Sequence, residues 1–288
     1  MELTKLHGLG NDYLYLDTVH QDLSGFALPE LARVLSDRHF GVGSDGIILV
    51  QPAEAADFRM RIFNSDGSEA EMCGNGVRGF AKYVYDRGLT DRTHLRVETG
   101  AGIIELDLQV QGGVVTAVRA DLGRPRLARR EIPMRGEPAG EPVLEESLVV
   151  AGQDFALTAV SMDNPHCVLF VPEVNNFPVA QIGPLLEHHE LFPHRTNVEF
   201  VRVVDRGHLQ MRVWERGAGE TLACGTGAAA AAVAGALTER SDRQVIVHLR
   251  GGDLELEWTA DDHVLLTGPA AEVFTATVTE EVLAPARV

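Results

Sequence analysis

The sequence predicts an α/β (α+β) protein of two pseudo-symmetric lobes, each a curved, mostly antiparallel or mixed β-sheet or barrel wrapped around a central helix. Three observations predict it. First, residues 60–76 and 211–227 align without a gap. With Cys73 laid on Cys224, Met60, Arg61, Glu69, Gly74 and Gly76 also meet identical residues, Ile62 meets Val213 and Phe63 meets Trp214. A match running from strand through loop to helix in one register is an internal repeat about half the chain long. Second, a similar order of strands and helices surrounds each copy. Third, the stretch after Cys224 is almost all alanine, from Ala228 to Ala234. Alanine is the best helix former and has no bulk, so strands can close around such a helix.

In chain order, residues 3–17 read as a strand, a polar turn at residues 7–12 and a second strand at 13–16. Pro29 near its start and Leu31, Val34 and Leu35 on one face predict a short helix over residues 29–38. A glycine-rich stretch, residues 41–46, leads into an apolar strand at 47–50. Residues 58–63 alternate as a half-buried strand does. The helix opened by Cys73 turns Val77, Phe80, Ala81 and Val84 inward and stops at Gly88. Strands follow at 95–97, 102–110 and 114–120, the last two joined through Gly112-Gly113. Between 123 and 146 the composition shifts to Pro, Arg and Glu, so the domain crossing is placed at its start. The second lobe repeats the order: strands at 156–160 and 167–171, a helix at 181–188, strands at 198–204 and 210–214, the Cys224 helix, then strands at 244–249, 254–258 and 263–267. Residues 271–278 alternate again as a last strand. The expected domains are therefore 1–119 with 270–288, carrying Cys73, and 120–269, carrying Cys224.

A length of 288 residues suits two domains, and 45% apolar residues suffice for two cores. The net charge of −17 argues against a nucleic-acid partner, whose phosphates would be repelled. No apolar leader is present at the N-terminus, and the longest uncharged run, 221–238, is too rich in Ala, Gly and Thr to enter a membrane. Three cysteines in so long a chain do not form a disulfide framework and point to a reducing, cytoplasmic setting.

The two repeated cysteines carry the chemistry. A helix N-terminus offers free N–H groups and a dipole that favour a thiolate or a bound carboxylate. Glycine next to each cysteine, and again two positions on, lets backbone come close to a ligand. Two such helix ends across a cleft permit one sulfur to take a proton from one face of a carbon while the other returns one to the opposite face. That is racemase or epimerase chemistry on a small amino acid, with no cofactor. A lone cysteine at a helix start is more often a small buried hydrophobe, and Cys167, in an apolar strand, is assigned so. The repeat argues against that assignment for Cys73 and Cys224. A zinc site from Cys73, Cys224 and His166 lacks the short spacing of zinc ligands, so no metal is expected. Pyridoxal phosphate needs a Schiff-base lysine, and Lys5 and Lys82, the only two, have no phosphate-binding context. Residues 41–46 match a dinucleotide fingerprint by letter, but a helix precedes them and a strand follows, the reverse of what that motif requires.

Taken together, the stretches His7-Gly-Leu-Gly-Asn-Asp12, Asn64-Ser-Asp-Gly-Ser68, Met72-Cys-Gly-Asn-Gly76, Asn164-Pro-His-Cys167, Glu215-Arg-Gly-Ala-Gly-Glu-Thr221 and Ala223-Cys-Gly-Thr-Gly227 resemble the diaminopimelate epimerase family nearly end to end. Proline racemases and hydroxyproline epimerases are similar but have histidine where Asn75 stands, and phenazine-biosynthesis isomerases lack the cysteine pair. The resemblance implies interconversion of LL- and meso-diaminopimelate, on the route to lysine and peptidoglycan, by a cytoplasmic homodimer. It implies Cys224 as base and Cys73 as acid in the LL-to-meso direction, with His166 and Glu215 biasing their protonation. Substrate would be held by Asn11, Asn64, Gly74, Asn75, Asn164, Asn197, Glu215, Arg216, Gly225 and Thr226. Some family members contact substrate through a glutamine where this chain has Gly46, and Ser44 is assigned that contact. Two rivals are a racemase of cyclic or shorter amino acids and a non-catalytic amino acid-binding protein of the same fold.

Overall fold

A computed structural model describes residues 1–288. The chain divides into two compact units, Met1–Ala120 with Gly268–Val288, and Asp121–Thr267. In the first, β1 (Glu2–Gly8) turns back through Leu9-Gly10 into β2 (Asn11–Asp17), so the turn is tighter than the six residues the sequence suggests. Then come α1 (Leu28–Ser36), β3 (Gly46–Gln51), β4 (Phe58–Asn64), the short β5 (Glu69–Ala70) and α2 (Gly74–Asp86). β6 (His94–Thr99), β7 (Gly102–Gln111) and β8 (Val114–Asp121) follow as an antiparallel meander.

β2 and β3 lie side by side in parallel, and nearly every residue of both is buried. Their apolar runs are continuous because both faces are covered. Tyr13, Tyr15, Ile48 and Val50 belong to one core cluster, with Val77, Phe80 and Val84 of α2. The alternate residues Leu14, Leu16, Ile47 and Leu49 belong to another, with Leu31 and Leu35 of α1. A two-residue period thus sends one strand into two cores.

The first strand wholly within the second unit is β9 (Val143–Val150), which the sequence does not announce because it begins inside the Pro-, Arg- and Glu-rich stretch. Its charged residues face outward and only Val143 and Val150 are buried, so its alternation is weak. Next are β10 (Gln153–Ser161), β11 (Pro165–Phe170), α3 (Val179–Glu187), β12 (Asn197–Asp205), β13 (His208–Glu215), β14 (Gly219–Thr221), α4 (Gly225–Leu237), β15 (Gln244–Leu249), β16 (Gly252–Trp258) and β17 (Val264–Gly268). The pairings repeat those of the first unit. β10–β11 is antiparallel like β1–β2, β11–β12 parallel like β2–β3, and β13–β15 parallel like β4–β6. The last strand, β18 (Ala271–Thr277), pairs antiparallel with β1 as β9 pairs with β10. It leads into the short α5 (Glu280–Leu283) and a single 3-10 turn, Ala284–Ala286.

α4 is buried from Gly227 to Gly235 and packs against β10, β11, β12, β13, β15 and β16. α2 is packed by β1, β2, β3 and β7. Each unit is therefore a mixed sheet curved around a central helix, as the repeat and the alanine run predict.

Candidate active site

Both cysteines are N-caps. Cys73 has extended backbone angles (φ −144°, ψ 113°), and its sulfur accepts the backbone N–H of Gly76 at 3.3 Å. Cys224 repeats this (φ −129°, ψ 113°) with Gly227, also at 3.3 Å. Sulfur here does what a serine or aspartate oxygen does at an ordinary N-cap. It leaves the N–H groups of the next two residues, Gly74 and Asn75 or Gly225 and Thr226, without intrahelical acceptors.

Around Cys73 the structure gathers Asn11, Gly74 and Asn75. Asn11 Oδ1 accepts from the Cys73 thiol at 3.4 Å, and Asn11 Nδ2 donates to Asp45 Oδ2 at 2.6 Å. A carboxylate only accepts, so Asp45 fixes which end of the amide faces the sulfur. Asp45 belongs to the loop in which Ser44 was expected to meet substrate. The Ser44 side chain instead faces the interior of its own loop, its hydroxyl bonded to Ser36 Oγ at 3.0 Å and Gly46 O at 2.9 Å. That expectation is corrected: the two hydrogen bonds occupy Ser44, and Asp45 is the loop residue that reaches Asn11. Asn64, at the end of β4, donates to Ser68 Oγ at 3.0 Å within its own turn.

Sequence reading misses Arg78, one turn along α2. It is fully buried, yet its partners are carbonyl and amide oxygens: Gly74 O at 2.9 Å, Asn75 Oδ1 at 2.7 Å and Pro269 O at 3.3 Å. Burial pushes its guanidinium down to about 10, opposed by Cys73 and Tyr15, the nearby groups able to carry negative charge. Because a guanidinium only donates, it holds Asn75 Oδ1 and turns the Asn75 NH2 group toward other acceptors. An arginine at the fifth residue of a glycine-rich helix start reads from sequence as a solvated face, which is why it is missed. Tyr13 and Tyr15 also adjoin the sulfur, and burial first, then Cys73, raises both hydroxyls.

Around Cys224 the structure gathers Asn164, His166, Gly225 and Thr226. Thr226 Oγ1 lies 3.5 Å from the sulfur, and Asn164 Nδ2 reaches that hydroxyl at 3.3 Å. His166 Nε2 is 2.9 Å from Asn164 Oδ1, and His166 Nδ1 is 2.7 Å from Glu199 Oε1. Both His166 and Glu199 are fully buried. Glu215, at the end of β13, accepts from the Thr221 hydroxyl. Asn197 is used by the backbone: its Nδ2 donates to Pro165 O at 3.1 Å and its Oδ1 accepts from Arg216 N at 2.9 Å. It holds the start of the loop that carries Arg216, whose exposed guanidinium donates to His194 O at 3.3 Å.

The helix dipole alone predicts an acidic thiol at Cys224. The structure reverses that: burial, then the carboxylates of Glu215 and Glu199, push the thiol well above its ordinary value, and the Thr226 and Gly227 hydrogen bonds only partly offset this. Cys167 is fully buried in the core against α3, as its apolar strand predicts.

Each N-capping cysteine, with a carboxamide and a free helix turn beside it, is suited to exchanging a proton with a carbon next to a bound carboxylate. A sequence profile described as Diaminopimelate epimerase matches residues 3–128 and 158–273. The chain belongs to the diaminopimelate epimerase family. A diaminopimelate epimerase of Moorella thermoacetica is 58% identical over 275 residues, covering 95% of this chain and 98% of the relative. Another, of Pelotomaculum thermopropionicum, is 53% identical over 274 residues, with coverages of 95% and 97%. Among solved structures, a probable proline racemase of Agrobacterium radiobacter superposes with a TM-score of 0.69 at 15% identity, covering 97% of this chain and 93% of the other. A phenazine biosynthesis protein of the PhzF family from Bacillus anthracis gives 0.66 at 18%, with coverages of 97% and 99%. These two share the fold with the epimerase family.

Proposed function

We propose that this enzyme interconverts LL- and meso-diaminopimelate by proton transfer between two cysteines, without a cofactor. The observation that carries the reading is the matched pair of N-capping cysteines in a chain of this family. In the LL-to-meso direction Cys224 takes the Cα proton as a thiolate, and Cys73 delivers its thiol proton to the opposite face. The substrate carboxylate sits on the open N–H groups of α2 and α4, which stabilise the charge that builds up as Cα–H breaks. The distal amino acid end is read by Asn64, by the second N–H of the Asn197 amide, the first being held by Pro165 O, and by Arg216 through forked pairing to its carboxylate.

Incubating the reduced protein with LL-diaminopimelate in deuterium oxide should place deuterium at Cα of the meso product. Cys73→Ala and Cys224→Ala should each lower epimerisation by about a thousandfold or more, since each removes one face of proton transfer. Either variant working near the native rate would rule out the two-base scheme, and a panel including proline and hydroxyproline separates the other racemases. The family resemblance also supports a cytoplasmic homodimer, which light scattering of the purified chain tests.

A further inference from the structure

Glu199 plays no part in the reading of the sequence, yet it is the fully buried end of a line of polar groups, half-buried at Asn164 and Thr226, that leads to the Cys224 sulfur. β11 and β12 run parallel with His166 opposite Asn197, so Glu199, two residues on, shares a face with His166. That face is turned to α4, because the alternate residues Cys167, Val198 and Phe200 pack with α3. Gly227 makes room for the carboxylate: a Cβ there would stand 2.7 Å from Glu199 Oε1. Glu199 Oε1 is 2.7 Å from His166 Nδ1, while the buried Oε2 has no hydrogen-bond donor. His166 is thus the hydrogen-bond partner of this carboxylate.

Donor and acceptor roles along the line are constrained. A carboxylate only accepts, so His166 Nδ1 carries a proton. If Nε2 is also protonated, it donates to Asn164 Oδ1, and Asn164 Nδ2 donates to Thr226 Oγ1. The Thr226 hydroxyl proton is then free to point at Cys224 Sγ, which suits a thiolate. If Nε2 is bare, a half-turn of the Asn164 amide lets its NH2 donate to the ring and its carbonyl accept from Thr226. The Thr226 lone pair then faces the sulfur and accepts from S–H, which suits a thiol. The two arrangements contain the same protons and the same net charge. They differ in whether one proton rests on the ring or on the sulfur.

We propose that Glu199 is a positioning residue that couples the charge of His166 to that of Cys224, keeping an imidazolium in the core whenever the sulfur is a thiolate. The proposal rests on Cys224 acting as a base in the proposed reaction. Glu199 and Glu215 both oppose the thiolate by their charge. An imidazolium on Glu199 cancels the first of these at the moment the thiolate is needed.

The test fixes the charge at position 224 in the full-length protein and reads the ring. With 15N-labelled histidine, and the His166 resonances assigned by their loss in His166→Gln, Cys224→Asp should show an imidazolium at His166. Cys224→Ser should show a neutral ring protonated on Nδ1, and adding Glu199→Gln to Cys224→Asp should neutralise the ring. The same ring charge in Cys224→Asp and Cys224→Ser overturns the proposal. In the otherwise native enzyme, Glu199→Gln should lower kcat about tenfold to a hundredfold with KM within about twofold, and Glu199→Asp should recover part of the loss. A native kcat in Glu199→Gln also overturns it. The spectroscopic arm needs no substrate, so absence of isotope exchange in the native enzyme would count against the proposed reaction and leave this coupling to be judged by the ring.

Discussion

At the scale of single residues, polar side chains around the first cysteine are arranged by charge. Asp12 is flanked by Lys5 at 2.7 Å and Arg38 at 2.9 Å, and Arg38 also reaches Asp45, which holds Asn11. Burial raises the Asp12 carboxyl, but hydrogen bonds and charge from Arg38 and Lys5 outweigh it and hold it below its ordinary value. A carboxyl whose folded value lies below its unfolded one stabilises the fold above the unfolded value and loses that contribution as pH falls through the folded value. Asp12→Asn should therefore melt below the native protein at neutral pH, and the gap in Tm should close as the pH falls through the lowered folded value of the Asp12 carboxyl. A gap that stays constant with pH would mean that the charge of Asp12 is not what counts. Asn11, Asn75 and Asn164 were visible in the sequence as motif letters. Asp45, Arg78 and Glu199, which determine how those amides point, were not, because each acts on a residue distant in sequence or one helical turn away.

At the scale of elements, the central helices show how little of helix packing lies in helix propensity. α2 is amphipathic in the ordinary way, with Val77, Phe80, Ala81 and Val84 buried, and two glycines for contact: a Cβ on Gly79 would stand 2.2 Å from the Tyr15 hydroxyl and one on Gly76 2.8 Å from Ile48 Cδ1. α4 has strands on several sides, and Ala228 to Ala234 are all buried. Ala231→Leu should destabilise the protein by roughly 1–3 kcal/mol or more, since the added atoms have no space to enter. The measurement is the urea midpoint, and an unchanged midpoint would show that the sheet does not close on the helix. Helices α1 to α4, the longer strands other than β9, and the cysteine N-caps were legible from periodicity and composition. The two- and three-residue strands β5 and β14 were not, because pairs that short are defined by the partner they meet.

At the scale of the whole molecule, the chain returns to its first unit at its end. β18 covers the edge of β1, and Leu283 and Ala286 beyond it are fully buried in the cluster that contains Leu31 and Leu35. Deleting residues 279–288 should cost roughly 2–4 kcal/mol through the lost apolar burial, seen as a lower Tm. A deletion that melts with the native protein would show that the C-terminal turn adds nothing to this core. The alternation of residues 271–278 announced a strand and the sequence assigned it to the first lobe, but only pairing revealed that it docks on β1.

Local order therefore determined much by itself: the repeat, the two cysteines at helix starts, the alanine helix and the family motifs all lie in contiguous residues, where period and spacing are sufficient. The tertiary structure decided what depends on charges brought together from separate strands. A helix N-terminus favours a thiolate wherever it occurs, but burial beside Glu199 and Glu215 reverses that preference at Cys224. Those carboxylates come from β12 and β13, and their distance from the sulfur is set by the folding of the sheet around α4.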